Sequence, residues 1–455
     1  MEGHLDSLFC IADGQLLICT LDQSAKVVPR RISLPGSASR VAYSKHLKSL
    51  VVAYTRTKLE TDTNPIRRIT YPHIEFVDPD STQQVVGSVG PEQDGSQQWR
   101  PQGAAGEKIT HIMEWMPKKD GQEYHFIVIG TARKTGEDRG RVIFLLAYRD
   151  PSNPSQIKCS VKHIHKFEGP VHTIAAYGDL TLMVGSGNYI IPLIPNFAGT
   201  ETRMTRYLLM SPAVSITVRE PFLYVSSSRQ SLAVLEMAYG RLMQLYAQDR
   251  QRVDGLSQVH FAEPKFTLTS SRGGRVSLLG EAGLPSDDML LPPALVNAHL
   301  PASITKLVEG ARPSPLSFSR VVYGTTITGA VYRLSILNGT EWRLLRLLQN
   351  ICISDPNISP FIPKKKRRNA VECKYPHPPS RMHIDGDMLG RLVERGAGYL
   401  RQMLNTEEFV NTLASGKGPK AMKEFLEASE ELLGQSAEPE EEVMRWLRRI
   451  LHVEF

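Results

Sequence analysis

The chain of 455 residues is 41% hydrophobic, 22% charged and 7% aromatic, a mixture that excludes disordered and fibrous classes and supplies side chains for a large core. Its 54 Lys and Arg against 47 Asp and Glu leave a net charge of +7, which becomes a nucleic-acid argument only if the basic residues gather on one face. No apolar run reaches the roughly 18 residues of a spanning helix; the greasiest stretch, Tyr177 to Pro195, is cut by Gly178, Asp179, Gly185, Gly187, Asn188 and Pro192, so no membrane anchor is expected.

The amino terminus, MEGHLDSLFCIADG, lacks the basic start and apolar core of an export signal, which predicts a protein that stays inside the cell. Cys10, Cys19, Cys159, Cys352 and Cys373 are scattered and odd in number, so reduced, mostly buried thiols are expected rather than a disulfide framework or a zinc finger. On that reading the sequons at Asn338 and Asn357 are chance matches.

Up to about residue 340 the chain alternates short apolar segments with Gly, Pro, Asp, Asn and Ser punctuation. These segments read as strands, among them Ser49 to Thr55, His125 to Thr131, Arg141 to Tyr148, Val171 to Ala176, Phe222 to Ser226, Arg275 to Leu279 and Arg320 to Thr325. Without crossover helices they must pair mainly antiparallel, which excludes a doubly wound dinucleotide fold. Four-stranded units of roughly 40 to 45 residues predict about seven blades of a WD-like β-propeller. Gly87 to Glu107 and Asp150 to Gln156 are polar breaks, expected as rim insertions.

Beyond residue 340 the period becomes helical. Leu344, Leu345, Leu348 and Ile351 share a face, and Asp355 to Arg381 is a proline-rich, basic linker. A helix entered at Asp385 carries Met388, Leu389, Leu392, Val393, Leu400 and Met403, and a short one begins at Thr406. Two more follow, one from Pro419 and one bearing Val443, Trp446, Leu447, Ile450 and Leu451. The expected fold class is therefore mainly β: a seven-bladed propeller over residues 1–340, a helix and basic linker over 341–384, and a small α-helical carboxy-terminal domain over 385–455.

No nucleophile elbow, phosphate loop, zinc helix or EF-hand loop is present, so no catalytic, cofactor or metal residues are assigned and a non-enzymatic chain is expected. His163 and His165 share a strand face near His172, but no carboxylate or cysteine stands at ligand spacing, and surface histidines are the plainer reading. Asp385 and Asp387 are read as helix-capping carboxylates. Arg272, Gly273, Gly274 and Arg275 read as a hairpin turn whose arginines are candidates for a phosphate or a partner carboxylate. The run Lys364, Lys365, Lys366, Arg367 and Arg368 reads as a nuclear-import signal, with a merely solvated loop and nonspecific nucleic-acid contact as alternatives.

Several short segments then carry a resemblance: Phe9 to Ala12 with Leu21-Asp22, Tyr124 to Ala132, Arg139 to Phe144, Glu168 to Val171, Tyr323 to Gly329, and Ile384 to Leu389. In this order they resemble the carboxy-terminal region of the A-subunit family of cleavage and polyadenylation specificity factor. The large subunit of the damaged-DNA-binding complex and the large propeller subunit of splicing factor 3b share that region. The resemblance implies the third propeller and helical tail of a nuclear three-propeller scaffold, with the chain starting where that propeller starts. It implies protein partners in a nuclear complex, with RNA or DNA as further candidates, and neither a membrane nor a small-molecule substrate. Ubiquitin-ligase adaptor and RNA-processing scaffold remain unseparated, and cullin docking is not carried over.

Overall fold

Phe126 to Ile129, Leu182 to Val184 and Leu223 to Val225 are buried at every position, where a strand covered on one face would alternate. Such runs need cover on both faces, and in the computed structural model each of these three lies in a sheet that stands between two others. The structure describes residues 7–12, 15–20, 34–60, 67–79, 84–89, 106–119, 121–134, 139–195, 205–238, 242–249, 251–263, 265–280, 290–291, 293–310, 316–318, 320–355, 357–359, 382–405 and 419–451.

Strands β1 (Ser7–Ala12) and β2 (Gln15–Thr20) form a separate hairpin. The first blade is β3 (Ser37–Ser44), β4 (Ser49–Glu60), β5 (Arg67–Val77) and β6 (Gln84–Val89). The second begins with β7 (Lys108–Trp115) and, past a small hairpin of β8 (Lys118–Lys119) and β9 (Gln122–Glu123), continues with β10 (Phe126–Ala132), β11 (Gly140–Asp150) and β12 (Asn153–Phe167). The third is β13 (Val171–Tyr177), β14 (Thr181–Ser186), β15 (Tyr189–Leu193) and β16 (Tyr207–Leu208). The fourth is β17 (Ala213–Arg219), β18 (Phe222–Ser227), β19 (Leu232–Ala238) and β20 (Leu242–Gln248). The fifth is β21 (Gly255–Phe261), β22 (Phe266–Ser271), β23 (Arg275–Gly280) and β24 (Val296–His299), and the sixth is β25 (Ile304–Glu309), β26 (Val321–Thr326) and β27 (Val331–Ser335).

The described residues thus form six blades, not the seven expected. The expectation divided the chain by a uniform period. The third and fourth blades fit it, but the first two occupy residues 37–167 with long strands and an insertion. Outer strands β6 and β12 pair in parallel, from Gln156 opposite Val86 to Cys159 opposite Val89, which joins those two blades into one sheet.

The cores lie between blades. Ile127 and Ile129 of β10 pack with Val51, Ala53 and Phe76 of the first blade, while Phe126 and Val128 turn to Val171, Ile174 and Val184 of the third. One strand's period-two alternation therefore feeds two cores. The same arrangement recurs between the third and fourth, fourth and fifth, and fifth and sixth blades.

A local device repeats with it. Each inner strand carries one unpaired extra residue near its start: Ser39, Thr110, His172, Val214, Leu256 and Thr305. Opposite most of these bulges, the second strand ends in a small residue and a hydroxyl: Gly130-Thr131, Gly185-Ser186, Ser226-Ser227, Ser270-Ser271 and Thr325-Thr326. The small residue lets the next inner strand approach. A Cβ on Gly130 would stand 2.9 Å from Val171 Cγ1, and one on Gly185 3.1 Å from Ala213 Cβ. The hydroxyl closes the following turn, as when Ser227 Oγ donates to Gln230 O at 2.8 Å and Thr326 Oγ1 to Ala330 O at 3.2 Å.

Five helices are described: α1 (Gly339–Ser354), α2 (Gly386–Arg395), α3 (Ala397–Asn405), α4 (Pro419–Leu433) and α5 (Pro439–Leu451). Asn338 and Glu341 form a capping box on α1, and the expected face of Leu344, Leu345, Leu348 and Ile351 is buried. Asp385 caps α2 by accepting from the Asp387 and Met388 N–H groups. The helix expected from Asp385 through Met403 is two, because Gly396 takes φ +84° and breaks it. The short helix expected at Thr406 lies outside the described residues. Arg333 of β27 donates to Ile450 O at 3.0 Å and so ties α5 to the sixth blade.

Candidate interface at the mouth of the ring

Antiparallel succession puts the starts of the inner strands and the turns between second and third strands at one end of the ring, the mouth. Inner strands follow one another from blade to blade through bonds such as Thr110 Oγ1 to Val171 O at 2.6 Å and Leu307 N to Ser257 Oγ at 3.0 Å.

The residues just past the bulge in the sixth, first and second blades are Lys306, Arg40 and His111. Arg40 Nε donates to Thr110 O at 2.6 Å and Nη1 to Ser39 O at 2.7 Å, which seats its guanidinium across β3 and β7. Among the described residues the Lys306 ammonium makes no hydrogen bond or ion pair. Burial holds Arg40 and Lys306 below their ordinary pKa values, Lys306 further because of Arg40, and pushes His111 to about 3 with help from Lys306 and Arg40. Among the described residues no carboxylate offsets any of the three. Both Arg40 and Lys306 nevertheless keep solvent exposure, and His111 is half-buried. His172, the bulge residue of β13, is likewise held down by burial.

At the same end the second-to-third strand hairpins add Arg56, Lys58 and Arg68 in the first blade, Arg133, Lys134 and Arg139 in the second, Arg229 in the fourth and Arg272 in the fifth. None is ion-paired among the described residues. The approach loops set Glu168, Asp249 and Asp254 against them. Leu59, Met210 and Ile327 are exposed at 61%, 77% and 88% at the same end, an apolar component beside the charge. The chemistry on offer is anion binding and docking; at a pKa near 3, His111 is a poor proton acceptor near neutrality.

The predicted sites divide. Arg272 is exposed on its turn, with Gly274 at φ +77° as the hairpin requires, while Arg275 turns inward and donates through Nη2 to Asn297 Oδ1 at 2.7 Å. Lys364, Lys365, Lys366, Arg367 and Arg368 lie outside the described residues. His163 and His165 lie against Phe144 and Phe167, and no group of three or more His, Cys, Asp or Glu among the described residues is placed to hold a metal. Burial pushes the Cys159 and Cys352 thiols up to about 12, so both are protonated and unreactive near neutrality. No described helix is long and apolar enough to cross a membrane. Sequence reading missed Arg40, Lys306 and His111, for each is a lone polar residue inside a short strand. The findable signal was the repeated pair of a small residue and a hydroxyl, which dates each bulge.

A search of the curated proteins returned no match. A family model described as the CPSF A subunit region matches residues 105–394. That span takes in five of the six blades, the helix α1 and most of α2, and it contains the resembling segments from Tyr124 to Leu389. Covering well over half of the chain, the match makes this protein a member of the CPSF A subunit region family.

Proposed function

We propose that the chain is a non-enzymatic scaffold of a nuclear, nucleic-acid-associated complex, of the DNA-damage ubiquitin-ligase or the mRNA-processing type, and that it binds other proteins through the mouth of its propeller. The observation that carries this reading is the company of cations without carboxylate partners among the described residues and exposed Leu59, Met210 and Ile327 at one end of a propeller whose successive blades already share their cores. Family membership supports it. Cross-linking mass spectrometry on the tagged chain in nuclear extract tests it: cross-links should gather on the turns bearing Lys58 and Lys134. Cross-links spread evenly over both ends would remove the reading. The nuclear assignment draws on the Lys364 to Arg368 run; replacing those five residues with Ala should move the protein to the cytoplasm.

A second reading is direct nucleic-acid binding by that run and by mouth arginines such as Arg272. Phosphate contacts alone would give affinity that falls steeply with salt and little base preference. Titration of labelled RNA and duplex DNA at two salt concentrations decides it, and a flat salt response would dismiss it.

A further inference from the structure

We propose that the hairpin of β4 and β5 carries a two-stranded ribbon, Arg56–Glu60 against Arg67–Tyr71, that enters the major groove of duplex DNA. This deepens the nucleic-acid reading, on which it rests, by naming a site and a class of nucleic acid.

The ribbon exists because these two strands outrun their neighbours. They have 12 and 11 residues, against 5 to 7 for the second and third strands of the third to sixth blades. Strand β3 stops pairing at Ser37 opposite Thr55, and β6 reaches only Phe76 and Val77. Yet β4 and β5 continue together from Arg56 opposite Tyr71 to Glu60 opposite Arg67. Four residue rises past Arg56 carry the ribbon about 14 Å further at the mouth. Among the described residues its one backbone bond from outside the hairpin is Gly106 N to Thr70 O at 2.8 Å. Arg56, Thr57, Lys58, Leu59 and Arg68 are all exposed, while Ile69, Thr70 and Tyr71 are half-buried.

Strand alternation assigns the cations to two faces. Arg56 and Lys58 share one with Tyr71 and Ile69, and Arg68 lies on the other with Thr57 and Leu59. None has a carboxylate partner among the described residues: Arg68 Nη2 donates to Thr57 Oγ1 at 3.4 Å, and Glu75, further along the first face, accepts from the Tyr54 hydroxyl at 2.7 Å. Sheet layers pack about 10 Å apart, and the major groove of B-DNA is about 12 Å wide and admits a two-stranded ribbon. Cations on both faces then meet the phosphates of both groove walls, and exposed Leu59 offers the apolar contact that a thymine methyl takes. An acidic protein surface would meet one face at a time and leave the other's charge unmatched. The A-form major groove of duplex RNA is too narrow for side chains to read, and no exposed aromatic on the described ribbon could stack single-stranded bases.

Fluorescence anisotropy on the whole chain tests the ribbon, with a labelled short DNA duplex, the same duplex as RNA, and one of its DNA single strands. Arg56→Gln with Lys58→Gln and Arg68→Gln should weaken DNA duplex binding at least about tenfold and flatten the slope of log affinity against log salt by about 2 to 3. Only the bond from Arg68 to Thr57 is lost, so the urea midpoint should stay within about 0.5 kcal/mol of the unaltered chain. Lys45→Gln with Lys118→Gln and Lys119→Gln removes as many charges at the opposite end and should leave affinity and slope unchanged. The RNA duplex and the single strand should bind at least about tenfold less well than the DNA duplex. Full duplex binding by the ribbon variant would overturn the ribbon alone and leave Arg272 and the Lys364 to Arg368 run as carriers. Equal binding of the DNA and RNA duplexes would overturn the groove assignment, and no binding of any of the three probes by the unaltered chain would overturn the nucleic-acid reading as well.

Discussion

The two ends of the ring use charge differently. At the end opposite the mouth, Glu114 accepts from Ser44 Oγ at 2.5 Å, Lys45 N at 2.9 Å and His46 N at 3.1 Å, so one carboxylate fastens the turn between β3 and β4 onto β7. There Lys158 pairs with Asp150 at 2.7 Å, Arg320 with Glu309 at 2.5 Å, and Arg149 donates to Leu47 O at 2.9 Å and Ser49 Oγ at 3.1 Å. At the mouth, Arg141 is paired with Glu107 and Arg275 is held by Asn297, while Arg40, Lys306 and the turn cations have no carboxylate partner among the described residues. Charge that is matched inside the chain holds the fold; charge left unmatched at a folding cost is what a binding surface retains.

The largest effect should come from removing a matched partner at the mouth. Glu107→Ala should leave Arg141 uncompensated in a buried site and cost about 3 to 5 kcal/mol, read as a shift of the urea midpoint. A change within about 0.5 kcal/mol would mean that the pair is not structural. Next, Glu114→Ala should cost about 1 to 3 kcal/mol, because three donors at the opposite end lose their acceptor.

The third prediction concerns pH. His111, held at about 3, binds fewer protons folded than unfolded between about pH 3 and 6.5. Stability should therefore fall as pH drops through that window, by up to about 1.4 kcal/mol per unit from this group. His111→Gln should flatten the slope of unfolding free energy between pH 7 and 5, and an unaltered slope would assign acid sensitivity elsewhere. At the opposite end His46 is also lowered, by burial and by the stacked His125, but Glu114 and Glu123 oppose the shift. Acid should accordingly loosen the mouth more than the other end, which hydrogen exchange at pH 5 can read. The smallest effect is Lys306→Met, which should leave stability unchanged or raise it by up to about 1 kcal/mol; a loss of 2 kcal/mol would show that Lys306 is structural.

Much of the ring was legible in the sequence because its central strands are doubly covered. Runs such as His125 to Thr131 and Phe222 to Ser226 stand out as apolar, and the absence of crossover helices gave the antiparallel class. The outer strands did not stand out. Tyr207–Leu208 is two residues long and Val296–His299 reads VNAH, so edge positions with one face in water carry little pattern. The blade count failed for a related reason, since insertions lengthened the first two blades without marking their ends. Helix starts were readable where a cap was chemical, as at Asp385, whereas the break at Gly396 was not, because the apolar period runs on through it. Arg40, His111 and Lys306 hold equivalent places just past the bulges of three inner strands, and nothing local in any one of those strands tells of that repeat.

Whether partners dock at the mouth is decided by quantitative affinity purification of three forms of the tagged chain: the unaltered protein, the mouth variant Arg229→Glu with Arg272→Glu, and the opposite-end variant Lys118→Glu with Lys119→Glu. The mouth variant should recover its protein partners at least about tenfold less well while the opposite-end variant recovers them normally. Normal recovery by the mouth variant, with loss confined to the opposite-end variant, would contradict docking at the mouth.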